Sequence, residues 1–319
     1  MVLIFNSKQN YTIYKLYDLL IQYKIKFEVI DPSEIFSFSL EQDCDLLKSF
    51  SLNNKKYLID SISCIFSTSS NLNLNINLDD CNYDEFNRED VLLFLNSEWR
   101  SINEFFAYIF RKVKYLSVPY DNENKLVTNE IAKEVGFKIP SSIITTNREK
   151  IKDYFSTNIV TNKFIAKRIC GFLSGNTKSD TYFQHEGALL SILELNFFDN
   201  FLMPSTSQEI IEFEFEVKSV YINEEIFSVI KHKNIAIDMP YVLDDSIKLK
   251  INLLMKKIGL KFGTIDLLID KNRNYYFLEV NPHGQYDTIE ALGDFNVYNK
   301  ILEFIYEKEK SIIWNSKEI

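Results

Sequence analysis

Two carboxylates and a carboxamide fall close together in an otherwise apolar run, GTIDLLIDKNRNYYFLEVNPHGQ, residues 263 to 285. The alternation in DLLID and YYFLEVN predicts a hairpin that turns at KNRN, with Asp270 opposite Tyr275 and Asp266 opposite Glu279. One face then carries Ile265, Leu267, Ile269, Tyr276, Leu278 and Val280 toward a core. The other carries Thr264, Asp266, Leu268, Phe277, Glu279 and Asn281. Carboxylates facing each other on a sheet repel, and when partly buried they take up a proton or gather a cation. Two acids and an amide make a hard oxygen set, which suits Mg²⁺ when phosphates complete its shell. The residues alone also allow a solvated polar edge, or an acid paired with a lysine. An odd-length turn would move the pairing by one residue and weaken the cluster.

The elements that must position this cluster belong to a chain of 319 residues, long enough for two or three subdomains. A hydrophobic content of 46% is ample for a sizeable core. No apolar run approaches the length of a membrane span, so no membrane partner is expected. The net charge of −9, without a basic stripe, argues against nucleic acid as a partner. The opening residues carry no basic region followed by a small-residue cleavage site. Cys44, Cys64, Cys81 and Cys170 are scattered, with no CxxC pair, so neither a disulfide framework nor a zinc site is expected. A cytoplasmic location fits these observations. There are eight glycines, none before Gly136, and neither GxGxxG nor GxxxxGK[ST] occurs. Any nucleotide must therefore be held by another kind of site.

MVLIFN, YTIYKLYDLLIQYK and KFEVID read as strand, amphipathic helix and strand, an α/β opening. Short β-prone runs fill residues 35 to 66, and NLNLNINLDD reads as a polar loop or edge strand. Trp99, Ile102, Phe105, Phe106, Ile109 and Val113 recur at helical spacing from Glu98 to Val113. KLVTNEIAKEV reads as a helix stopped by Gly136. A β-rich stretch follows, IPSSIITT and NKFIAKRICGFLSGN, then an irregular segment and a long strand, IIEFEFEVKSVYI. Asp245 or Ser246 caps a helix that ends at Gly259, and a final helix covers roughly residues 294 to 310.

GTIDLLIDKNRNYYFLEVNPHGQ resembles the closing motif of ATP-grasp ligases, in particular the microviridin-type and grasp-with-spasm peptide maturases, or graspetide synthetases. The resemblance extends through NKLVTNEIAKEVGFKIPSSIITTN, the strand with Lys167, the long strand after PSTSQEII, and LMKKIGLKFGTIDLL. It implies an α/β (α+β) architecture: an ATP-grasp fold with an N-terminal pre-ATP-grasp α/β domain. The expected divisions are 1–118 for that domain, 119–207 for a central subdomain with the lysine strand and glycine loop, and 208–319 for a C-terminal subdomain with the metal hairpin. The implied reaction is ATP-dependent activation of Asp or Glu side chains of a ribosomally made precursor peptide as acyl phosphates. Intramolecular ω-ester or ω-amide macrocycles then form. ATP, Mg²⁺, a leader-and-core precursor peptide and a homodimer all follow from the resemblance.

Position by position, the resemblance assigns Asp266, Glu279 and Asn281 to the metal, and Lys125 and Lys167 to the phosphates. Gly171 and Gly175 would form a lid over the phosphates. Gln208, Glu209, Ile210 and Ile211 would form the adenine hinge, and Glu216 would take the ribose, with Glu212 as second choice. The family's arginine in that strand is Lys218 here, which keeps the charge and loses the bidentate fork. The arginine-bearing stretch expected to orient a substrate carboxylate is missing from KHKNIAIDMPYVLDD; Lys218, Lys231 and His232 are the replacement candidates. His283 lies beside the metal motif as a possible substrate contact or a spectator. Two rival readings stand: an ATP-grasp ligase adding an amino acid to a protein terminus or small acid, and a peptide-binding protein whose catalytic power has decayed.

Overall fold

The computed structural model describes residues 1–42, 47–75, 87–120, 124–158, 162–167, 169, 173–176, 182–185, 187–235, 238–293 and 295–315. Cys44, Cys81, Cys170 and Gly171 lie outside the described residues. None of the described helices is long and apolar enough to cross a membrane.

The chain opens with β1 (Val2–Phe5), α1 (Tyr14–Gln22) and β2 (Phe27–Ile30). There follow β3 (Phe38–Gln42), β4 (Leu47–Leu52), β5 (Lys55–Leu58), β6 (Cys64–Ser67) and α2 (Arg88–Phe110). Strands β2-β1-β6 form a parallel sheet, and β3-β4-β5 a separate antiparallel one. Every residue of VLIF is buried, as expected of a parallel strand covered on both faces. Val2, Ile4 and Phe66 pack with Leu16 and Leu20 of α1, while Leu3, Phe5 and Ile65 pack on Phe106 and Phe110 of α2. Helix α2 begins ten residues before the expected start at Glu98. The Asn87 side chain caps it by accepting the Glu89 amide, and Glu89 and Asp90 sit in its first turn. Leu92, Leu93 and Phe94 in this extra stretch are exposed, so the capping residues rather than core periodicity set its start.

The middle of the chain gives α3 (Lys125–Glu134), β7 (Ser142–Asn147), α4 (Arg148–Asn158), β8 (Lys163–Lys167), β9 (Leu173–Asn176), β10 (Tyr182–His185), β11 (Ala188–Ser191) and β12 (Phe201–Gln208). Strands β11-β8-β12-β7 make an antiparallel sheet, and β9 pairs with β10. Helix α4 falls between IPSSIITT and NKFIAKRICGFLSGN, where the sequence reading assigned no element. Ile151, Tyr154 and Phe155, at helical spacing, pack it on Phe164 and Leu195.

The rest comprises β13 (Phe215–Ile222), β14 (Glu225–His232), β15 (Asp238–Tyr241), α5 (Asp245–Ile258), β16 (Phe262–Ile269), β17 (Tyr275–Asn281), α6 (Asp287–Gly293) and α7 (Val297–Asn315). The five-stranded antiparallel sheet runs β15-β14-β13-β16-β17. Val217, Tyr221, Ile265, Leu267 and Phe277 bury one of its faces with α5 and α3. On the other face Val220, Ile222 and Phe262 join the N-terminal cluster of α1, β1 and α7. The expected long strand from Ile210 is shorter, because β13 begins only at Phe215. Residues 209 to 214 instead carry the chain from one sheet to the other.

Candidate active site

A cavity of about 700 Å³ lies between the two larger sheets, roofed by the first turn of α3 and by α6. Its floor is the half of the five-stranded sheet not covered by the N-terminal unit. Strand register places the side chains there in rows. Lys218 of β13 stands beside Asp266 of β16, which stands beside Glu279 of β17. One row over, Glu216 pairs with Lys231 of β14, which pairs with Asp238 of β15. All six line the cavity.

The hairpin that carries the acids differs from the expected one in its turn. Five residues, Asp270 to Asn274, connect β16 and β17 rather than four. The Asp270 carboxylate shapes this turn by accepting the Asn272 and Asn274 amides (both 2.8 Å) and the Asn274 side chain (2.8 Å). Arg273 adopts φ 62° within it. The odd length pairs Ile269 with Tyr275 and Leu267 with Phe277. A bulge between Asp266 and Leu267 on one side, opposite Leu278 on the other, then restores the register, so that Asp266 faces Glu279 and Thr264 faces Asn281. Phe277 is therefore buried in the core and Leu278 lines the cavity, the reverse of the expected assignment.

Lys125 reaches the acids because α3 is clamped to this hairpin. Asn124 caps the helix by accepting the Leu126 and Val127 amides, and after Gly136 (φ 89°) the Lys138 carbonyl accepts the Phe277 amide (2.9 Å). The Lys125 Nζ donates to Glu279 Oε2 (2.7 Å), and the Asn281 side-chain amide donates to Glu279 Oε1 (3.0 Å). Burial pushes the Glu279 carboxyl up, but the Lys125 and Asn281 hydrogen bonds, with the charges of Lys125 and Lys167, outweigh it and hold it below the usual carboxylate range. Burial pushes Asp266 up to about 6, against the pull of Lys218 and with the help of the Glu279 and Glu216 charges. Lys167, at the end of β8 on the facing sheet, is held below the usual lysine range by burial and by the Lys125 charge, partly offset by Glu279. Burial thus pushes both acids up, and at Glu279 alone the hydrogen bonds and positive neighbours outweigh it, so the two acids shift in opposite directions, a pattern typical of sites built to handle charge.

No group of three or more His, Cys, Asp or Glu suited to a metal occurs among the described residues. Asp266, Glu279 and Asn281 instead offer two carboxylates and an amide, an incomplete hard-oxygen set whose chemistry fits Mg²⁺.

The whole chain can now be set beside solved structures. It superposes on macrocyclase MdnC bound with precursor peptide MdnA from Microcystis aeruginosa, with a TM-score of 0.74 over 96% of this chain and 99% of that one, at 19% identity. A RiPP-associated ATP-grasp ligase from Chryseobacterium gregarium, in complex with ADP and a leader and core peptide, gives 0.76 over 96% of both chains at 16% identity. The ATP-grasp ligase PsnB, complexed with a phosphomimetic minimal precursor variant, Mg and ADP, gives 0.72 over 97% and 98% at 13% identity. The chain has the ATP-grasp fold. No protein-family model and no curated protein sequence matches it.

Within this ATP-grasp cleft the structure brings together Lys125, Lys167, Gln208, Glu216, Lys218, Asp266 and Glu279, all lining the cavity, with Asn281 hydrogen-bonded to Glu279. Other expected residues fall outside the cavity lining, although the hinge role expected of residues 208 to 211 calls on backbone groups rather than side chains. The Glu209 carboxylate accepts the Ser141 amide (2.7 Å), and the Glu209 amide donates to the Ser141 carbonyl (2.9 Å), so this residue ties the crossing chain to the strand below. Ile210 and the exposed Glu212 contribute no side chain to the cavity lining. His232 falls on the face of β14 opposite Lys231, because neighbouring strand residues alternate. There it stacks edge-on against Phe215, and its Nδ1 accepts the Asn234 amide (3.1 Å). His283 places Nδ1 3.2 Å from the Ser67 carbonyl of β6. Sequence reasoning missed α6, which supplies Thr288 and Leu292 to the roof. The acidic Asp287 ahead of the apolar Ile289 was its available signal.

Proposed function

We propose that this chain is an ATP-dependent carboxylate ligase that activates Asp or Glu side chains of a ribosomally made precursor peptide and closes ω-ester or ω-amide rings. The observation that carries the reading is the meeting of Asp266, Glu279 and Asn281 with Lys125 and Lys167 between two sheets of the ATP-grasp fold. Asp266, Glu279 and Asn281 would hold magnesium, which when bound shields the phosphate charge. Lys125 and Lys167 supply positive charge from the roof and the facing sheet, where phosphate oxygens gain negative charge in phosphoryl transfer. Gln208 and the chain beyond it flank the adenine end, with Glu216 toward the ribose. Lys218, next to Asp266 in the same row, is placed for the substrate carboxylate, with Lys231 as a second cation one row away.

The chemistry balances without a protein nucleophile. A peptide carboxylate oxygen takes the γ-phosphoryl group and ADP leaves. A hydroxyl or amine of the same peptide then attacks the acyl carbon, the bond from carbon to the phosphate oxygen breaks, and phosphate leaves while the nucleophile loses its proton. Each ring removes one water from the peptide. A homodimer, a leader-and-core peptide partner and a cytoplasmic location belong to the same reading; the peptide is supported by precursor-bound neighbours of the same fold.

Calorimetry should show ADP uptake that depends on magnesium, and Glu279→Gln should lose that dependence. Mass spectrometry of a precursor peptide encoded beside the gene and coexpressed should show loss of whole water molecules with wild type and none with Glu279→Gln. Magnesium-independent ADP binding, or an unmodified peptide despite bound nucleotide, would overturn the proposal.

A further inference from the structure

A second cavity, of about 630 Å³, takes no part in the chemistry above. It lies at the carboxyl end of β1, the middle strand of the parallel sheet β2-β1-β6. The chain leaves β1 through α1 to β2 on one side, and β6 pairs on the other, so the strand order reverses here. In open parallel α/β sheets ligands bind in this crevice, because the loops diverge from it in opposite directions.

One wall is the loop after β1, including Ser7, Asn10 and Thr12; the other is Gln285, between β17 and α6, and Asp287, the first residue of α6. The first wall is already fixed. The Asn6 side-chain amide donates to the carbonyls of Ser7 (2.9 Å) and Asn10 (3.1 Å), and the Lys8 amide donates to Asp31 (2.8 Å). The second wall is pinned too. A Cβ on Gly284 would fall 1.9 Å from Thr264 Oγ1, so this turn lies directly on β16.

Asp287 Oδ1 is buried and has no hydrogen-bond partner among the described residues. Such an oxygen is costly until a donor reaches it. Lys15 is not that donor, because its Nζ pairs with Glu290 Oε1 (2.6 Å) and lies 5.0 Å from the Tyr298 ring centre. The remaining polar lining offers hydroxyl and amide groups, the complement of peptide backbone. The volume falls in the range of pockets that hold ligands larger than one small side chain.

We propose that this crevice docks the acceptor segment of the substrate peptide. The segment's hydroxyl- or ammonium-bearing side chain donates to Asp287, and its backbone carbonyls accept from the side-chain amides of Asn10 and Gln285. The inference rests on the ligase reading above and says where the second reacting group enters. Gln285 lies four positions after Asn281, at most about 14 Å of chain. An acceptor held here lies one short, pinned turn from the carboxylate-activating cluster.

The test uses the full chain saturated with MgADP. The probes are N-acetyl-L-threonine amide and N-acetyl-L-lysine amide, each presenting one acceptor side chain between two peptide groups. Free L-threonine and L-lysine are the comparison. Chemical-shift mapping should place the blocked residues at positions 7–12 and 285–287, with affinity about tenfold or more weaker in Asp287→Ala. MgADP affinity in Asp287→Ala should match wild type, which separates a lost crevice from a lost fold. Gln285→Ala, at an exposed position, should weaken binding by a smaller factor. Shifts elsewhere, equal binding to Asp287→Ala, or binding of the free amino acids alone would overturn the docking assignment. A wild-type chain that takes up no ADP with magnesium overturns instead the ligase reading on which it rests.

Discussion

The two walls of the cleft are built on different principles. The acid wall belongs to a five-stranded sheet whose far face is filled by α3 and α5, with Ile265, Leu267, Phe277 and Val280 in one continuous core. Asp266 is flanked by Ile265 and Leu267 of that core and Glu279 is followed by Val280 of it, so their positions follow from register. The lysine wall is a four-stranded sheet resting on a small cluster around Ile151, Phe155, Phe164 and Leu195. Phe197, Phe201 and Met203 on the same lobe are largely exposed. The side chains proposed to hold the metal stand on the wall with the deeper core, and Lys167, proposed to meet phosphate, stands on the thinner one. The comparison teaches that precision here is supplied by packing behind the sheet, not by the polar groups in front of it.

The largest expected difference between the walls lies inside the β16–β17 hairpin. Phe277→Ala should destabilise the chain by about 3–5 kcal/mol, as expected for emptying a large buried ring site. Leu278→Ala, one residue on and facing the cavity, should cost well under half of that. Denaturant unfolding of the two variants measures both. Similar losses for the pair would mean that no bulge separates them and that the acid wall lacks the backing described above.

That pair also marks how far the sequence could be read. The facing of Asp266 and Glu279 was legible, because the oxygen cluster and the Ile265 and Val280 core positions demand the same register. The path to it was not. Asp270 satisfies three donors and so joins the turn, and the resulting odd count is cancelled by a bulge that no alternation of apolar and polar residues encodes. Lys125 was placed at a helix start correctly, yet its 2.7 Å contact with Glu279 depends on α3 packing against β17, a tertiary fact with no local signal. His232 was drawn in by its chemistry, although the strand's own alternation with Lys231 puts it on the other face. Helix α4 was lost because charged residues dominate REKIKDYFSTN and only Ile151, Tyr154 and Phe155 mark its buried side.

The lysine wall offers the next effect. Lys167→Met removes a cation that the cavity keeps partly desolvated, where charge-assisted contacts are strongest. Its loss should weaken MgATP binding by about 10- to 100-fold, the worth of one hydrogen bond to a charged group. Competition against a fluorescent nucleotide measures it, alongside unfolding by denaturant. Stability should stay within about 0.5 kcal/mol of wild type, since Lys167 anchors no core. A fall in stability as large as that of Phe277→Ala would make Lys167 part of the scaffold and erase the difference between the walls.

The smallest effect tests where the floor meets the nucleotide rather than the metal. Glu216 pairs across the sheet with Lys231 and Leu268, two residues before Lys218, and has no core role. If it accepts from a ribose hydroxyl, the contact is one hydrogen bond at an exposed position, near the low end for charged acceptors. Glu216→Gln should then raise the dissociation constant for ADP by roughly three- to tenfold, while that for 2′,3′-dideoxy-ADP, which lacks the donors, stays near its wild-type value. The ratio of the two constants is the readout, because a general distortion of the floor would move both together. An unchanged ratio would assign Glu216 to the Lys231 row alone, as a charge that keeps the floor balanced. It would leave the acid wall with the metal as its one contact to the nucleotide.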